Sequence, residues 1–306
     1  MFTRYITHLL HKLPTLSLLL FFISSSSIAK PVEVLVSIKP LHSLVSYITD
    51  GVSQPKLLLD QQQSPHHFQL RPSQKRMINN ADIFFYSSDN IEGFVPALKE
   101  TTKQLQFIQL SKLAEINSLP VRSFHSHDNH DHNSNDRDGH IWLSIENAKL
   151  ISQYVTDMLG KHSPEYALRY KENLNSLLIK LEELKQENMK LLSPYSNTAY
   201  LVYHDAYQYF ERENNLAGAH FITTSPEHSP GIKRIKDLRS LIDTKNIQCI
   251  FYEPPNIPSL LTTLTEIKHT RLSAIDPAGS QIPLGKQHYF QLLRKTAVII
   301  DNCLKK

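Results

Sequence analysis

The chain has 306 residues, 41% hydrophobic and 20% charged, the composition of an ordinary globular protein long enough for one large core or two smaller ones. Formal net charge is +4 with no long basic run, so the electrostatic footprint of a nucleic-acid binder is missing, and the 8 glycines form no phosphate-cradling loop for a nucleotide. The exceptional count is histidine, at 16.

At the N-terminus, Arg4 and Lys12 precede an apolar run from Leu16 to Phe22, and a serine stretch ends in Ser27-Ile28-Ala29. A basic start, a short apolar segment and small residues at 27 and 29 read as an export signal over residues 1–29, cut before Lys30. The run is too short to remain as a membrane span, and no later stretch is long enough for one. No cysteine follows the cut, so no lipid anchor is expected there. Without Arg4 and Lys12 the formal charge falls to about +2. The expected compartment is the periplasm of a two-membrane bacterium.

Beyond the signal, short β-rich runs alternate with helical ones. A strand is predicted over Val32–Ser37 and a helix over Pro40–Thr49, with Pro40 in its first turn and Gly51 as its stop. Lys56–Leu59 and Asp82–Tyr86 read as strands around a helix capped by Ser73, and Leu105–Leu110 as another strand. A helix follows from about Ile145 to Leu159. Ser163-Pro164-Glu165 opens a much longer one reaching Leu192, with Tyr166, Tyr170, Leu174, Leu177, Leu178, Leu181 and Leu184 at helical spacing. Strands resume at Ala199–His204, Ala219–Ile222, Ile247–Tyr252 and Arg271–Ile275, separated by helices, before a last helix over His288–Leu304. This rhythm predicts an α/β protein of two parallel-sheet lobes joined by one long helix: residues 30–162, the linking helix 163–192, and residues 193–306.

Residues 125–138 form a polar, low-complexity loop in which His125, His127, His130 and His132 alternate with Asp128, Asp131, Asp136 and Asp138. Such a stretch cannot pack a core, but its imidazoles and carboxylates can hold divalent cations loosely. The two cysteines, Cys249 and Cys303, form an even pair in an exported chain and so read as a disulfide sooner than as a metal pair. Closing that loop contributes roughly 2–4 kcal/mol.

Open α/β sheets bind ligands at the carboxyl ends of their strands. His204 ends a predicted strand, Asp276 follows another, His66 lies in the loop after Lys56–Leu59, and His140 closes the His-rich loop before Trp142. Two fall in each half of the chain, which puts a metal in the cleft between lobes. Three neutral imidazoles and at most one carboxylate suit Zn²⁺ better than manganese, which prefers harder oxygen ligands.

The surroundings of these residues sharpen the reading. Ser64-Pro65-His66 followed by Leu70-Arg71-Pro72-Ser73, then Gly139-His140-Ile141-Trp142-Leu143, Tyr203-His204-Asp205-Ala206-Tyr207 and Asp276-Pro277 closely resemble the cluster A-I solute-binding proteins. The likeness is greatest to the zinc-binding component of high-affinity zinc ABC transporters, and it runs from about Val34 to the C-terminus. The resemblance implies that His66, His140 and His204 are zinc ligands and that Asp276 lies near the metal, the fourth position being Asp276, water or a loop histidine. It further implies a monomer that hands zinc to an inner-membrane ABC permease and carries no enzymatic activity. The long helix, the His-rich loop and a disulfide from the last helix to a strand fit the same branch. Two departures stand out: Pro65 and His67 replace the acidic neighbour often found beside the first ligand, which makes His67 an alternative ligand ranked below His66, and Ala278 takes the place of a larger apolar residue.

Asp205 and Glu253 are candidates to orient a ligand imidazole, Asp205 alternatively capping a helix from Ala206. Trp142 is expected to pack beside the site. His42, His162, His220, His228, His269 and His288 match no motif and are expected as surface or capping residues. A secreted zinc hydrolase is the distant alternative: His125-Ser126-His127-Asp128-Asn129-His130 nearly matches a metallo-hydrolase pattern, but with its aspartate one place too early, and no His-Glu-x-x-His helix exists. A metal-dependent surface adhesin would use the same fold.

Overall fold

The computed structural model describes residues 31–59, 65–66, 68–122, 136–224, 230–265 and 270–305. The export signal, His67, His228, His269 and the four histidines at 125, 127, 130 and 132 lie outside the described residues.

Each half of the chain builds one parallel four-stranded sheet. The first contains β1 (Val34–Val36), β2 (Lys56–Leu57), β3 (Ile83–Tyr86) and β4 (Gln106–Gln109) in the order β2-β1-β3-β4. The second contains β5 (Leu201–His204), β6 (His220–Thr223), β7 (Cys249–Tyr252) and β8 (Arg271–Ala274) in the order β6-β5-β7-β8. In both, the chain leaves a central strand to one side and returns on the other, so strand order reverses between β1 and β3 and between β5 and β7. Crevices form at the carboxyl ends of such switch points.

The inner strands β1, β3, β5 and β7 are largely apolar on both faces, as parallel strands covered by helices must be. Alternate side chains divide between two cores: Val34, Val36, Ile83 and Phe85 face one way, and Leu35, Phe84 and Tyr86 the other. Likewise Val202 and Phe251 face inward while Leu201 and Ile250 pack beneath an outer helix. The inward faces of both sheets contribute to one continuous core with α1 (Lys39–Ile48), α4 (Ile145–His162), α5 (Ala167–Leu192) and α9 (His288–Leu304). The outer faces are covered by α2 (Pro72–Asn79) and α3 (Val95–Thr101) on the first sheet, and by α7 (Ile232–Thr244) and α8 (Ser259–Thr265) on the second. The short α6 (Gln208–Glu213) follows β5.

The predicted long helix begins as a 3-10 turn at Pro164–Tyr166 and becomes α5, 26 residues or about 39 Å. It buries Tyr170, Leu177, Leu181, Leu184 and Leu192, each leucine contributing roughly 1.5–3 kcal/mol. Its Asn173 donates to the carbonyl of Ile48 (2.8 Å), the last residue of α1, and to that of Asp50 (2.9 Å) in the turn that follows. Cys303 on α9 is paired with Cys249 at the start of β7, the Cα atoms 6.0 Å apart.

Two capping expectations are corrected. Helix α2 starts at Pro72 with Arg71 in the capping position, because proline's fixed φ and missing N–H suit the first helical residue; Ser73 is already inside, and Gln74 accepts from the Arg71 N–H at 2.9 Å. Helix α6 starts at Gln208, so Asp205 caps nothing; its carboxylate is taken by Arg122, which also reaches Glu211 at 2.9 Å.

Candidate metal centre

His66, His140 and His204 come from three segments and meet at one point. His204 is the last residue of β5, at the switch point of the second sheet. His140 precedes a 3-10 turn, Ile141–Leu143, whose buried Trp142 anchors the segment by donating to the carbonyl of Pro277 at 2.7 Å. His66 lies between β2 and α2 and is half-buried. The ring centroids are 5.0 Å apart for His140 and His204, 5.4 Å for His66 and His204, and 5.8 Å for His66 and His140. One ligand-capable nitrogen from each lies within 4.8 Å of the others, and among the described residues no other three His, Cys, Asp or Glu converge so. Nitrogens bound at about 2.0–2.1 Å to one tetrahedral zinc stand about 3.4 Å apart, within reach of small rotations of these rings.

The two buried imidazoles are each fixed by a carboxylate. Glu253, just after β7, accepts from His204 Nδ1 at 2.8 Å, and Asp138 accepts from His140 Nδ1 at 2.6 Å. Each ring is thereby held with its proton on Nδ1, leaving Nε2 as the lone-pair nitrogen. His204 Nε2 is buried and has no hydrogen-bond partner. Leaving such an atom unpaired costs about 1–3 kcal/mol, which a metal ion at that position would offset. Burial alone would push the His204 pKa down; the Glu253 carboxylate, helped by Asp205 and Asp138, overrides it and leaves the group above its ordinary value. Burial would raise the pKa of Asp138, but the His140 imidazole and the bonds from His140 and Gln208 hold it below the usual carboxylate range.

Asp276 is not in this cluster. Its carboxylate accepts from the backbone N–H groups of Ala278 (2.9 Å), Gly279 (2.9 Å) and Ser280 (2.6 Å), closing the loop after β8. Of the two proposed orienting acids, Glu253 is in contact with a cluster imidazole, whereas Asp205 is paired with Arg122. Asp138, counted in the sequence only among the acids of the polar loop, is the partner of His140; its place two residues before that histidine was the available signal.

Two histidines expected at the surface are buried. His42 Nε2 faces the carbonyl of Pro55 at 2.9 Å, and His288 places Nε2 3.0 Å from the carbonyl of Ala278 and Nδ1 3.3 Å from that of Pro283. Each stitches a loop to a helix, which spacing along the chain cannot reveal. His162 is exposed as expected.

Three imidazoles converging between two parallel sheets, two of them held by carboxylates and one presenting an orphaned nitrogen, define a solute-binding protein whose solute is a metal ion. The family described as zinc-uptake complex component A, periplasmic, matches residues 34–303, and the chain belongs to that family. The high-affinity zinc uptake system protein ZnuA of Brucella suis biovar 1 is 32% identical over 331 aligned positions, covering 97% of this chain and 99% of that one. Among solved structures, a ZnuA crystal structure superposes with a TM-score of 0.76 at 21% identity, covering 90% of this chain and 99% of that one. A laminin-binding adhesin of Streptococcus agalactiae gives a TM-score of 0.76 at 18% identity, covering 90% of this chain and 100% of that one. At such identities the two structures speak for the fold alone.

Proposed function

We propose that this chain, the zinc-binding component of an uptake system by family, captures Zn²⁺ through His66, His140 and His204 and passes it to an inner-membrane ABC permease. The orphaned, carboxylate-backed Nε2 of His204 carries the assignment of the ligands. Binding and release are the whole task, so this is not an enzyme: Glu253 and Asp138 hold their imidazoles by Nδ1 and leave Nε2 for the metal, and zinc is the cargo. Residues 1–29 direct export and are removed, residues 30–162 and 193–306 act as the two lobes about the linking helix 163–192, and the protein works as a monomer in the periplasm. Asp276, whose bonds already close its own loop, lends charge near the metal, and the fourth position is left to water. The histidines at 125, 127, 130 and 132 hold further zinc weakly.

Competition titration with a chromogenic chelator tests the ligand set. His204→Ala should weaken zinc binding at least about 100-fold, beyond the range for an outer partner of a ligand. Deletion of residues 125–135 should leave the tight 1:1 site intact. A His204→Ala protein with unchanged zinc affinity would remove the centre from this position.

A further inference from the structure

Gln208 and Tyr209 open α6, four and five residues after His204, yet their polar ends are directed at the other half of the chain. Gln208 Nε2 donates to Asp138 Oδ2 at 2.6 Å and to the carbonyl of Pro120 at 3.1 Å. The Tyr209 hydroxyl accepts from the Leu119 N–H at 3.0 Å and donates to the carbonyl of Asp138 at 2.7 Å. Asp138 in turn donates its own N–H to the carbonyl of Leu119 at 2.9 Å. Its Oδ1 takes both the ring Nδ1 of His140 (2.6 Å) and the His140 backbone N–H (2.9 Å).

A carboxylate is free to turn about its last torsion unless both oxygens are held. Here one oxygen is held by an amide that can only donate at that atom, and this turns the other onto His140. Because an ionised carboxylate only accepts, His140 must carry its proton on Nδ1, and its Nε2 is kept as the free lone pair. The amide that imposes this belongs to the helix leaving His204, so the orientation of one ligand is set from the element that follows another.

We infer that Gln208 is a positioning residue for zinc capture: through Asp138 it fixes the ring orientation and tautomer of His140, registering that ligand against His204 before the metal arrives. This rests on the reading of His140 as a zinc ligand. Gln208 is half-buried and replaceable without a core defect, whereas Tyr209 is buried and saturated at both its donor and acceptor sites, so Gln208 is the residue to change.

The test uses the full chain and its Gln208→Met and His140→Ala variants, with two readouts. One is the zinc dissociation constant from chelator competition. The other is the tautomer of the His140 ring in the metal-free protein, from long-range proton–nitrogen spectra, with the signal assigned by its loss in His140→Ala. The expected result is a single Nδ1–H tautomer in the unaltered chain, a mixture in Gln208→Met, and a zinc affinity about 10- to 100-fold weaker in that variant, the range for loss of an outer partner. An unchanged affinity, or a weakened one with the single tautomer retained, would overturn the role of Gln208, the latter marking it as a contact between lobes only. His140→Ala separates the two levels: if it loses affinity while Gln208→Met does not, only the positioning role fails, and if it keeps full affinity the ligand reading falls as well.

Discussion

The two sheets share one strand order and use their switch points in opposite ways. Between the carboxyl ends of β1 and β3 sits Glu92, fully buried, accepting from Ser37 Oγ (2.6 Å) and from the N–H groups of Ser87 (3.0 Å) and Ser88 (2.9 Å). The crevice of the first sheet is thus filled by the protein's own carboxylate and closed by its own donors. Between β5 and β7 the carboxylate is Glu253, and its partner is an imidazole, which has a second nitrogen to offer. A backbone N–H paired with a carboxylate has nothing further to offer, whereas a histidine paired through Nδ1 keeps a second nitrogen of the kind a metal needs. The first lobe therefore brings its two imidazoles of the cluster, His66 and His140, from segments beyond its sheet, while the second presents His204 directly from a strand end.

Acid should have the largest effect on this contrast. Zinc needs neutral imidazoles, whose ordinary pKa is about 6.5, and the Glu253 contact leaves His204 above its ordinary value, so protons compete with the metal at that ring as pH falls. Tight binding should be lost steeply below about pH 6. A chelator competition curve that stays flat from about pH 7.5 to about pH 5 would contradict a histidine site.

Next in size, Glu253→Leu should weaken zinc binding about 10- to 100-fold with little change in fold, since it frees the His204 ring to turn. An unchanged dissociation constant would mean that the second switch point is as closed to function as the first.

Glu92→Gln addresses the other side of the comparison. It should leave zinc affinity within about threefold and reduce stability by about 1–3 kcal/mol, because an amide cannot accept all three donors. Burial pushes the Glu92 pKa up to about 7 against the pull of Ser37, Ser87 and Ser88. The sign follows: a carboxyl raised in the folded state favours folding below its unfolded pKa, and that contribution is lost as pH climbs towards 7. Denaturation midpoints of the unaltered protein should therefore decline between about pH 4.5 and pH 7 relative to those of Glu92→Gln, and parallel curves would refute the buried-acid reading.

The smallest effect is expected at His288. His288→Ala removes the imidazole that packs between the carbonyls of Ala278 and Pro283 and can donate to one of them, and should cost about 1–2 kcal/mol in urea unfolding, with zinc affinity almost unaffected. A clear loss of zinc binding would show that the loop closed by Asp276 supports the centre more closely than its geometry implies.

Most of the architecture was legible in the chain because each strand and long helix carries its own periodic signal. The short α3 and α6 gave little of it, and the starts of α2 and α6 were decided by Pro72 and by the Arg122 pair. Of the residues at the imidazole cluster, His66, His140 and His204 were singled out by strand ends and by the motifs around them, and Glu253 was named as a candidate to orient one of them. Asp138 was hidden inside a polar loop, and Gln208 in the first turn of a helix too short to announce itself.

By itself, the sequence determined the two-sheet plan, the long helix, the cysteine pair and the imidazole-rich character of the site, because hydrophobic period, residue chemistry and local motifs are properties of neighbouring residues. Only the tertiary structure decided which carboxylate holds which imidazole. It turned Asp276 to its own loop, gave Asp205 to Arg122, buried His42 and His288 against carbonyls, and set Asp138 between His140 and Gln208. A hydrogen bond is won by whichever donor stands within about 3 Å in the right direction. Partners 70 residues apart, such as Asp138 and Gln208, reach that distance only when both sheets and the helices between them are in place.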